Sequence, residues 1–337
     1  MNYVATWIYM DKKGEETNFP QTQFLSSTKS HQDIYWRCVY IFFKFAIKYL
    51  NTSCEFLLFT NYAEDSYYVD NIDVIKNLKN MNVKIINRDF TFKLPIKYYG
   101  EWGNQLYEFD ILDEFEKRFD ENSKLLMLDS DCIITQNISG LFDLLEKSPA
   151  ITFRGEYKGK KNDIKINGIT EIEMTQLAKE YNPDANFSVN YLCGEFLCMT
   201  YELIKKINEE FPKLHNFMVN KFLSNPSSDT IKYNEEAHFL SYFYAKYNVP
   251  IGEADSYIKR LWTADNYYVI KDGDENLPIW HVLSGKNRYI KLLPDIDKFL
   301  QKDQKYIISK LKKLFFKRNS EYEKKMLFIR IYNKIKK

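Results

Sequence analysis

Short apolar runs alternate with longer segments of helical periodicity over the first 130 residues of the chain. Four runs predict strands, at Tyr3–Met10, Cys54–Thr60, Val83–Asn87 and Lys124–Leu128. Between them, apolar residues recur every three or four positions, which predicts helices over Asp33–Leu50, Val69–Leu78 and Gln105–Phe119. Strands separated by helices favour βαβ units, so we expect an α/β fold with a mainly parallel central sheet flanked by helices.

The pattern is less regular beyond residue 150. Arg154–Gly168 is rich in Lys, Asn and Gly and is typical of an exposed loop. Three later segments predict a strand at Tyr191–Thr200, an amphipathic helix at Glu235–Tyr247 and a short strand at Pro278–Leu283. The chain from Pro294 onward is predicted to be mainly helical. We therefore divide it into a domain over residues 1–300 and a helical tail over residues 301–337.

Charge is distributed unevenly between these two parts. The 337 residues carry a net charge of +2, but residues 305–337 contain twelve Lys or Arg and two Glu, so residues 1–304 carry −8. Apolar residues recur at helical spacing among these lysines, which favours a basic amphipathic helix at an anionic membrane surface. A solvated helix packed on the domain is the alternative. Nucleic acid is not expected as a partner, because the body is acidic and carries no nucleic-acid-binding motif.

The remaining composition is that of a soluble globular protein, with 45% hydrophobic and 28% charged residues. The five cysteines form no CxxC pair, which favours reduced thiols. The N-terminal residues lack the features of a signal peptide, and no apolar run reaches the length of a membrane span. We expect a cytoplasmic protein, peripheral at the inner membrane face if the tail binds lipid.

Two carboxylates interrupt the apolar segment LLMLDSDCII, residues 125–134. Alternate residues of an extended strand share a face, so Asp129 and Asp131 should point the same way. Ligands of open α/β sheets collect beyond the carboxyl ends of the strands. A divalent cation held there by both carboxylates would in turn hold a diphosphate. A solvated pair that caps the following turn is the alternative.

Four segments in order carry a resemblance to a known family. They are LLMLDSDCIITQNISGLFDLL from residue 125, YLCGEFLCM from 191, YNEEAHFLSYFY from 233 and IWHVLSGKNRYIKLL from 279. Together they resemble the nucleotide-sugar glycosyltransferases of the GT-A fold, most closely the family 8 enzymes. The resemblance implies a GT-A domain with a DxD metal site, and it spans most of residues 1–293.

The resemblance implies a donor and metal site with named residues. Asp129, Asp131 and His281 would hold Mn²⁺, with Mg²⁺ as the alternative, although a lone His beside Trp280 is also compatible with a structural role. The remaining contacts to the nucleotide sugar would come from Tyr9, Asp11, Ser130, Gly194, Arg260 and Lys286. The late segment departs from the family pattern because Lys directly follows Gly285, so Arg288 is a second candidate for the diphosphate contact.

Three glutamates are candidate catalytic residues on the sugar side. Glu195 lies in an apolar segment beside Gly194, where a charge should be paired or functional. Glu235 and Glu236 begin a predicted helix, where acidic residues also serve to complement the helix dipole. An inverting enzyme would use one of them as the general base. A retaining enzyme would need a side chain or the leaving oxygen of the donor instead.

The predicted function is metal-dependent transfer of a sugar, from a UDP-sugar first, to a hydroxyl acceptor. A glycan or lipid-linked acceptor in surface glycan or glycolipid synthesis would suit the basic tail. A phosphatase of the haloacid-dehalogenase type is a second hypothesis, with Asp129 as its nucleophile. A non-catalytic binding module of the GT-A type, associated with a membrane, is a third.

Overall fold

A six-stranded sheet forms the centre of the computed structural model, which describes residues 1–16, 18–19, 22, 24–50, 53–227, 229–261, 270–271, 273–283 and 285–316. Its strands lie side by side in the order β5 (Val83–Asn87), β2 (Glu55–Thr60), β1 (Asn2–Ile8), β6 (Lys124–Leu128), β9 (Phe196–Thr200) and β8 (Ala150–Ile151). The first four are parallel, and β9 runs antiparallel to both β6 and β8. The prediction of a mainly parallel central sheet is confirmed.

Helices cover the sheet, so its strands are buried on both faces. Consecutive residues of β2 and β6 are buried without alternation, as expected for strands that helices cover on either side. The long helices are α1 (Lys29–Leu50), α3 (Tyr107–Arg118) and α6 (Tyr201–Ser224). Phe109 of α3 stacks on Phe211 of α6 with ring centroids 3.5 Å apart. Burial of such a ring contributes roughly 1.5–3 kcal/mol to folding.

Shorter elements complete the fold. They are the hairpin β3 (Tyr68–Val69) and β4 (Ile72–Asp73) and the helices α2 (Val74–Asn80), α4 (Gly140–Leu144), α5 (Glu171–Tyr181) and α7 (Glu236–Lys246). The strand predicted at 191–200 begins only at Phe196. The reason is that the backbone N–H groups of Tyr191 and Leu192 donate to side chains, Glu171 Oε1 and Ser241 Oγ, instead of to a neighbouring strand.

A second, three-stranded sheet lies beside the DxD segment. Its strands are β10 (Ile258–Leu261), β11 (Ile279–Val282) and β7 (Cys132–Ile134), in that order. Residues 129–131 form the turn that connects β6 to β7, closed by a hydrogen bond from the Cys132 N–H to the Asp129 carbonyl at 3.0 Å. The two aspartates therefore lie in a turn between two sheets, and not on one face of an extended strand as the alternation predicts.

The first part of the basic tail packs on the domain. After α8 (Ile296–Leu300), helix α9 (Gln304–Phe315) buries Ile307, Leu311 and Phe315. A Cβ on Gly285 would lie 2.7 Å from the Phe315 ring, so this glycine permits the close approach. The apolar side of α9 thus faces the protein, contrary to the expectation that it faces lipid. Residues 317–337 of the predicted tail lie outside the described residues.

Within the described part of the chain, no helix combines the length and the apolar character needed to cross a membrane.

Candidate active site

A cleft that is partly open to solvent lies where the parallel strands end. Its lining includes the residues that directly follow β1 and β6, which is where α/β sheets bind ligands. The cleft brings together most of the residues that the sequence nominates, namely Tyr9, Asp129, Ser130, Asp131, Gly194, Glu195, Glu235, Glu236, Arg260, His281 and Lys286.

Three ligand atoms converge on the floor of this cleft. His281 Nε2 lies 3.3 Å from Asp129 Oδ2 and 3.1 Å from Asp131 Oδ1. The ligand atoms of the three side chains all lie within 4.8 Å of one another. Neither nitrogen of the buried imidazole makes a well-aligned hydrogen bond, although carboxylate oxygens face both. Two carboxylates and an imidazole suit Mn²⁺, and Mg²⁺ less well, so the residues fit a divalent cation.

Backbone pairing sets this convergence. In the second sheet, His281 is the register partner of Cys132 on β7 and of Arg260 on β10. The N–H of Val282 donates to the Asp131 carbonyl at 3.0 Å, and the Tyr289 hydroxyl donates to the same oxygen at 2.6 Å. The late His-containing segment is thereby fixed against the DxD turn, 150 residues away in sequence.

The two aspartates have different surroundings. The Asp129 side chain keeps 33% of its surface exposed, whereas Asp131 keeps 1% and pairs with the ammonium of Lys286. Burial favours the neutral form of Asp131, but the charges of Lys286 and His281 outweigh it and lower the pKa of this carboxyl below its ordinary value. The Asp131 carboxylate is therefore charged near neutral pH, and Lys286 holds it in place.

A buried ion pair supports His281 from the other side. Arg260 donates through Nε to Glu195 Oε1 at 2.5 Å and through Nη2 to Glu195 Oε2, and its Nη1 donates to Glu156 at 3.2 Å. The same Glu195 Oε1 lies 3.3 Å from His281 Nδ1. Despite burial, the Arg260 charge lowers the pKa of Glu195 to about 2. Glu195, the charged residue inside an apolar segment of the sequence, is thus paired with Arg260.

Gly194 makes room for Glu236. A Cβ at residue 194 would collide with the Glu236 carboxylate, so only glycine allows that carboxylate to lie over the backbone there. Glu236 is 5% exposed, and its Oε2 has no hydrogen-bond partner in the described structure. Burial raises the pKa of this carboxyl well above its ordinary value, and nearby carboxylates raise it further.

Glu235 is held by a turn that sequence reasoning missed. Asn167 Nδ2 lies 2.6 and 2.7 Å from its two oxygens, and the Tyr191 hydroxyl donates to Oε1 at 2.9 Å. Asn167 and Gly168 have φ of +47° and +98°. Their flanking residues pair as a hairpin, and Asn-Gly between two isoleucines is a strong sequence signal for such a turn. Burial raises the pKa of Glu235 to about 7, although these hydrogen bonds oppose the shift.

Replacing Asn167 with Ala is expected to lower the free energy of unfolding by about 1–3 kcal/mol, because a buried carboxylate loses its amide donor. Urea denaturation would measure the loss. Asn82→Ala is the matched control, since Asn82 also has a left-handed backbone, with φ of +59°, but is exposed and holds no carboxylate. Equal losses in the two variants would show that only the backbone conformation matters.

The remaining candidates are Tyr9, Ser130 and Asp11, of which Tyr9 and Ser130 line the cleft and Asp11 does not. The Tyr9 ring contacts Tyr107 and Phe90 at centroid distances of 5.2 and 5.3 Å, and Ser130 is buried beside the aspartates. Asp11 is buried behind Asn104, whose amide donates to it at 3.4 Å. Burial raises the pKa of Asp11 to about 6.

No family model matches the chain, and no curated protein sequence does either. Several solved glycosyltransferases resemble it in structure. The galactosyltransferase LgtC, solved with donor and acceptor sugar analogues, is 12% identical over 87% of this chain and 95% of its own, with a TM-score of 0.45. The apo form of glycosyltransferase GlyE of Streptococcus pneumoniae is 12% identical over 92% of this chain and 62% of its own, with a TM-score of 0.45.

A third match is mouse xyloside xylosyltransferase 1 in its apo form, which is 11% identical over 83% of this chain and 97% of its own, with a TM-score of 0.45. All three proteins carry the name of the enzyme class that the sequence resembles.

Proposed function

We propose that the chain is a metal-dependent glycosyltransferase of the GT-A type. It would transfer a sugar from a nucleoside diphosphate sugar, a UDP-sugar first, to a hydroxyl group of a glycan or lipid-linked acceptor. The observation that carries this proposal is the convergence of Asp129, Asp131 and His281 at the floor of a cleft beyond the strand ends. A diphosphate needs such a cation there, because the cleft lining is otherwise rich in carboxylates.

A cation bound by these three residues, Mn²⁺ or alternatively Mg²⁺, would neutralise charge on the leaving diphosphate as a Lewis acid. Lys286 adds a positive charge at the same end of the cleft, where it also pairs with Asp131. Arg260 and Glu195 act as positioning residues in this proposal. Because they bind each other and face His281 Nδ1, they hold the imidazole in orientation and do not contact the diphosphate or the reacting carbon.

Glu235 and Glu236 lie on the sugar side of the proposed site. Hydrogen bonds from Asn167 and Tyr191 fix the Glu235 carboxylate, whereas Glu236 Oε2 has no partner among the described residues. A carboxyl with a pKa of about 7 can accept a proton from an acceptor hydroxyl near neutral pH, so Glu235 is the stronger candidate for a general base. Transfer with inversion would use it in this way.

The exposed lysines of α9 leave an electrostatic role for the tail. Lys305, Lys310 and Lys313 are exposed, while the apolar side of the helix is buried. We propose that any attraction to an anionic membrane surface acts through these charges and not through insertion of apolar residues. A lipid-linked acceptor at the inner membrane face would suit that arrangement.

The proposal predicts that UDP or a UDP-sugar stabilises the protein only when Mn²⁺ is present. At about 100 times the dissociation constant, binding adds ~2.7 kcal/mol of stability, which should raise the melting temperature by several degrees. A thermal-shift panel of UDP, GDP, CDP and their sugars, each with Mn²⁺ and with a chelator, would measure the effect.

The panel also separates the competing hypotheses. A shift with GDP or CDP in place of UDP would change the donor and keep the reaction class. No shift with any nucleotide, together with a phospho-aspartate trapped on Asp129, would replace the proposal with a phosphatase. Nucleotide binding without turnover of any donor would favour a binding module.

A further inference from the structure

The part of the chain that carries His281 contacts the DxD turn at several points. We name residues 279–283 and 285–289 the late segment. Within it, His281 Nε2 lies 3.1 Å from Asp131 Oδ1, Lys286 pairs with the same carboxylate, and the Tyr289 hydroxyl donates to the Asp131 carbonyl at 2.6 Å. The position of the late segment relative to the DxD turn therefore decides whether the ligand atoms of the proposed metal site converge.

The Phe315 ring, in the last turn of α9, packs directly against the late segment. It is buried, and its centroid lies 5.3 Å from that of the Tyr289 ring. It also lies so close to Gly285 that a Cβ at this glycine would come within 2.7 Å of the ring. Gly285 directly precedes Lys286, so Phe315 contacts residues that flank the partner of Asp131 in sequence.

Two further contacts join the end of α9 to the late segment. The ring centroids of Phe316 and Trp280 are 4.6 Å apart, and Trp280 directly precedes His281. The Leu314 carbonyl accepts a hydrogen bond from Arg288 Nη1 at 3.0 Å. Carbonyl groups in the last turn of a helix have no partner within the helix, so this bond also stabilises the end of α9.

The beginning of α9 is held by the other side of the site. Gln304, its first residue, donates through Nε2 to the Thr135 carbonyl at 3.3 Å, and Thr135 directly follows β7, the strand that begins at the DxD turn. The chain before α9 is joined to α1 by an ion pair of 2.6 Å between Lys44 and Asp297. Helix α9 therefore connects the strand after the DxD turn with the late segment.

From these contacts we infer that α9 positions the proposed metal site, with Phe315 as the main positioning residue. The helix holds the segment that supplies the imidazole against the turn that supplies the carboxylates. Substitution of groups that orient metal ligands without binding the metal typically weakens metal binding by about 10–100-fold. The inference rests on the proposed function, because it concerns the cation of that site.

The test measures Mn²⁺ affinity in variants of Phe315. Mn²⁺ would be titrated with and without UDP at a temperature at which circular dichroism shows each protein folded, and electron paramagnetic resonance of the free ion would give the dissociation constant. We expect Phe315→Ala to bind Mn²⁺ about tenfold more weakly than the wild type. Phe315→Leu keeps an apolar side chain of similar reach, so it should restore the affinity to within about threefold of the wild type.

Phe115→Ala is the matched control for lost stability. Phe115 is as buried as Phe315, but its ring packs on Tyr3 with centroids 5.5 Å apart, near the start of β1, whereas the cleft lies beyond the end of that strand. This variant should lose stability and keep the Mn²⁺ affinity of the wild type. Equal weakening of Mn²⁺ binding in Phe315→Ala and Phe115→Ala would overturn the inference, because the effect would then follow stability alone.

The outcomes distinguish this inference from the function on which it rests. If the wild type binds neither Mn²⁺ nor Mg²⁺, with or without UDP, GDP or CDP, the proposed function is wrong and so is the inference. If the wild type binds Mn²⁺ and Phe315→Ala binds it equally well, the proposed function stands and the positioning role is wrong. If Phe315→Ala does not fold, Phe316→Ala decides, since it removes a half-buried ring from Trp280. Weaker Mn²⁺ binding in that variant is the expected result, and unchanged binding would overturn the inference.

Discussion

Replacing Asp131 with Asn is expected to abolish Mn²⁺-dependent nucleotide binding and to lower sugar transfer on the order of 10³-fold. Asp131 is the buried member of the proposed trio of ligands, and its carboxylate is charged near neutral pH, because Lys286 and His281 lower its pKa. An amide at this position keeps the shape of the side chain but provides no negative charge. Transfer assays over a range of Mn²⁺ concentrations would measure the loss.

The same substitution should also destabilise the protein. Lys286 is buried, and without Asp131 its ammonium loses the only carboxylate it contacts among the described residues. Breaking a buried pair in this way costs about 3–5 kcal/mol. Asp129→Asn should lose Mn²⁺ dependence as well, but with little change in stability, since Asp129 is one-third exposed and contacts no Lys or Arg within the described ranges. Urea denaturation of both variants would separate the two effects.

A second substitution distinguishes loss of the metal site from loss of folding. Adding Lys286→Met to Asp131→Asn removes the stranded charge, so the double variant should regain much of the lost stability and still fail to bind nucleotide with Mn²⁺. Full Mn²⁺-dependent transfer in the stable double variant would mean that the metal is held elsewhere.

The strand before the DxD turn shows what can be predicted from the sequence. Strand β6 (Lys124–Leu128) has the predicted bounds. Five apolar or amphipathic residues followed directly by two carboxylates are typical of a buried strand of an α/β sheet that ends at a polar site. Helix α6 (Tyr201–Ser224) was not predicted, although its buried residues recur at helical spacing. Pro212 lies inside it, and a proline ordinarily ends a helix, so the local signal contradicted the periodicity.

The arrangement of the site depends on contacts that no local pattern encodes. Arg260 and Glu195 are 65 residues apart, and Lys286 and Asp131 are 155 apart. Each residue looked like a ligand contact in the sequence because a buried charge must be paired or functional, and the sequence does not tell which. The tertiary fold decides which of the two applies, because it brings together strands that are distant in sequence; the pairing of β10, β11 and β7, for example, places His281 beside Arg260 and Cys132.

Replacing Arg260 with Met is expected to lower the free energy of unfolding by about 3–5 kcal/mol at pH 7. The variant leaves the Glu195 carboxylate buried without its counter-charge, and it also removes the side chain that orients His281 through Glu195. Lys should not substitute fully, because a single ammonium cannot make both of the hydrogen bonds that the guanidinium donates. Denaturant unfolding would give the loss, and Mn²⁺ titration would show weakened metal binding.

The pH dependence of this loss identifies its cause. In the wild type the pKa of Glu195 lies at about 2, below its ordinary 4.5, so the pair stabilises the protein above pH 4.5 and that contribution disappears as the pH falls towards 2. Without Arg260, burial raises the pKa of Glu195, so the variant gains stability as this carboxyl takes up a proton on acidification. The difference in stability between the two proteins should therefore shrink from pH 7 to pH 4.5. Adding Glu195→Gln to Arg260→Met should recover part of the lost stability.

The control is Lys298→Met, which breaks an exposed ion pair with Asp295 and should change stability by less than about 1 kcal/mol. A loss in Arg260→Met that is the same at every pH would instead indicate lost packing against Phe153 and Tyr157.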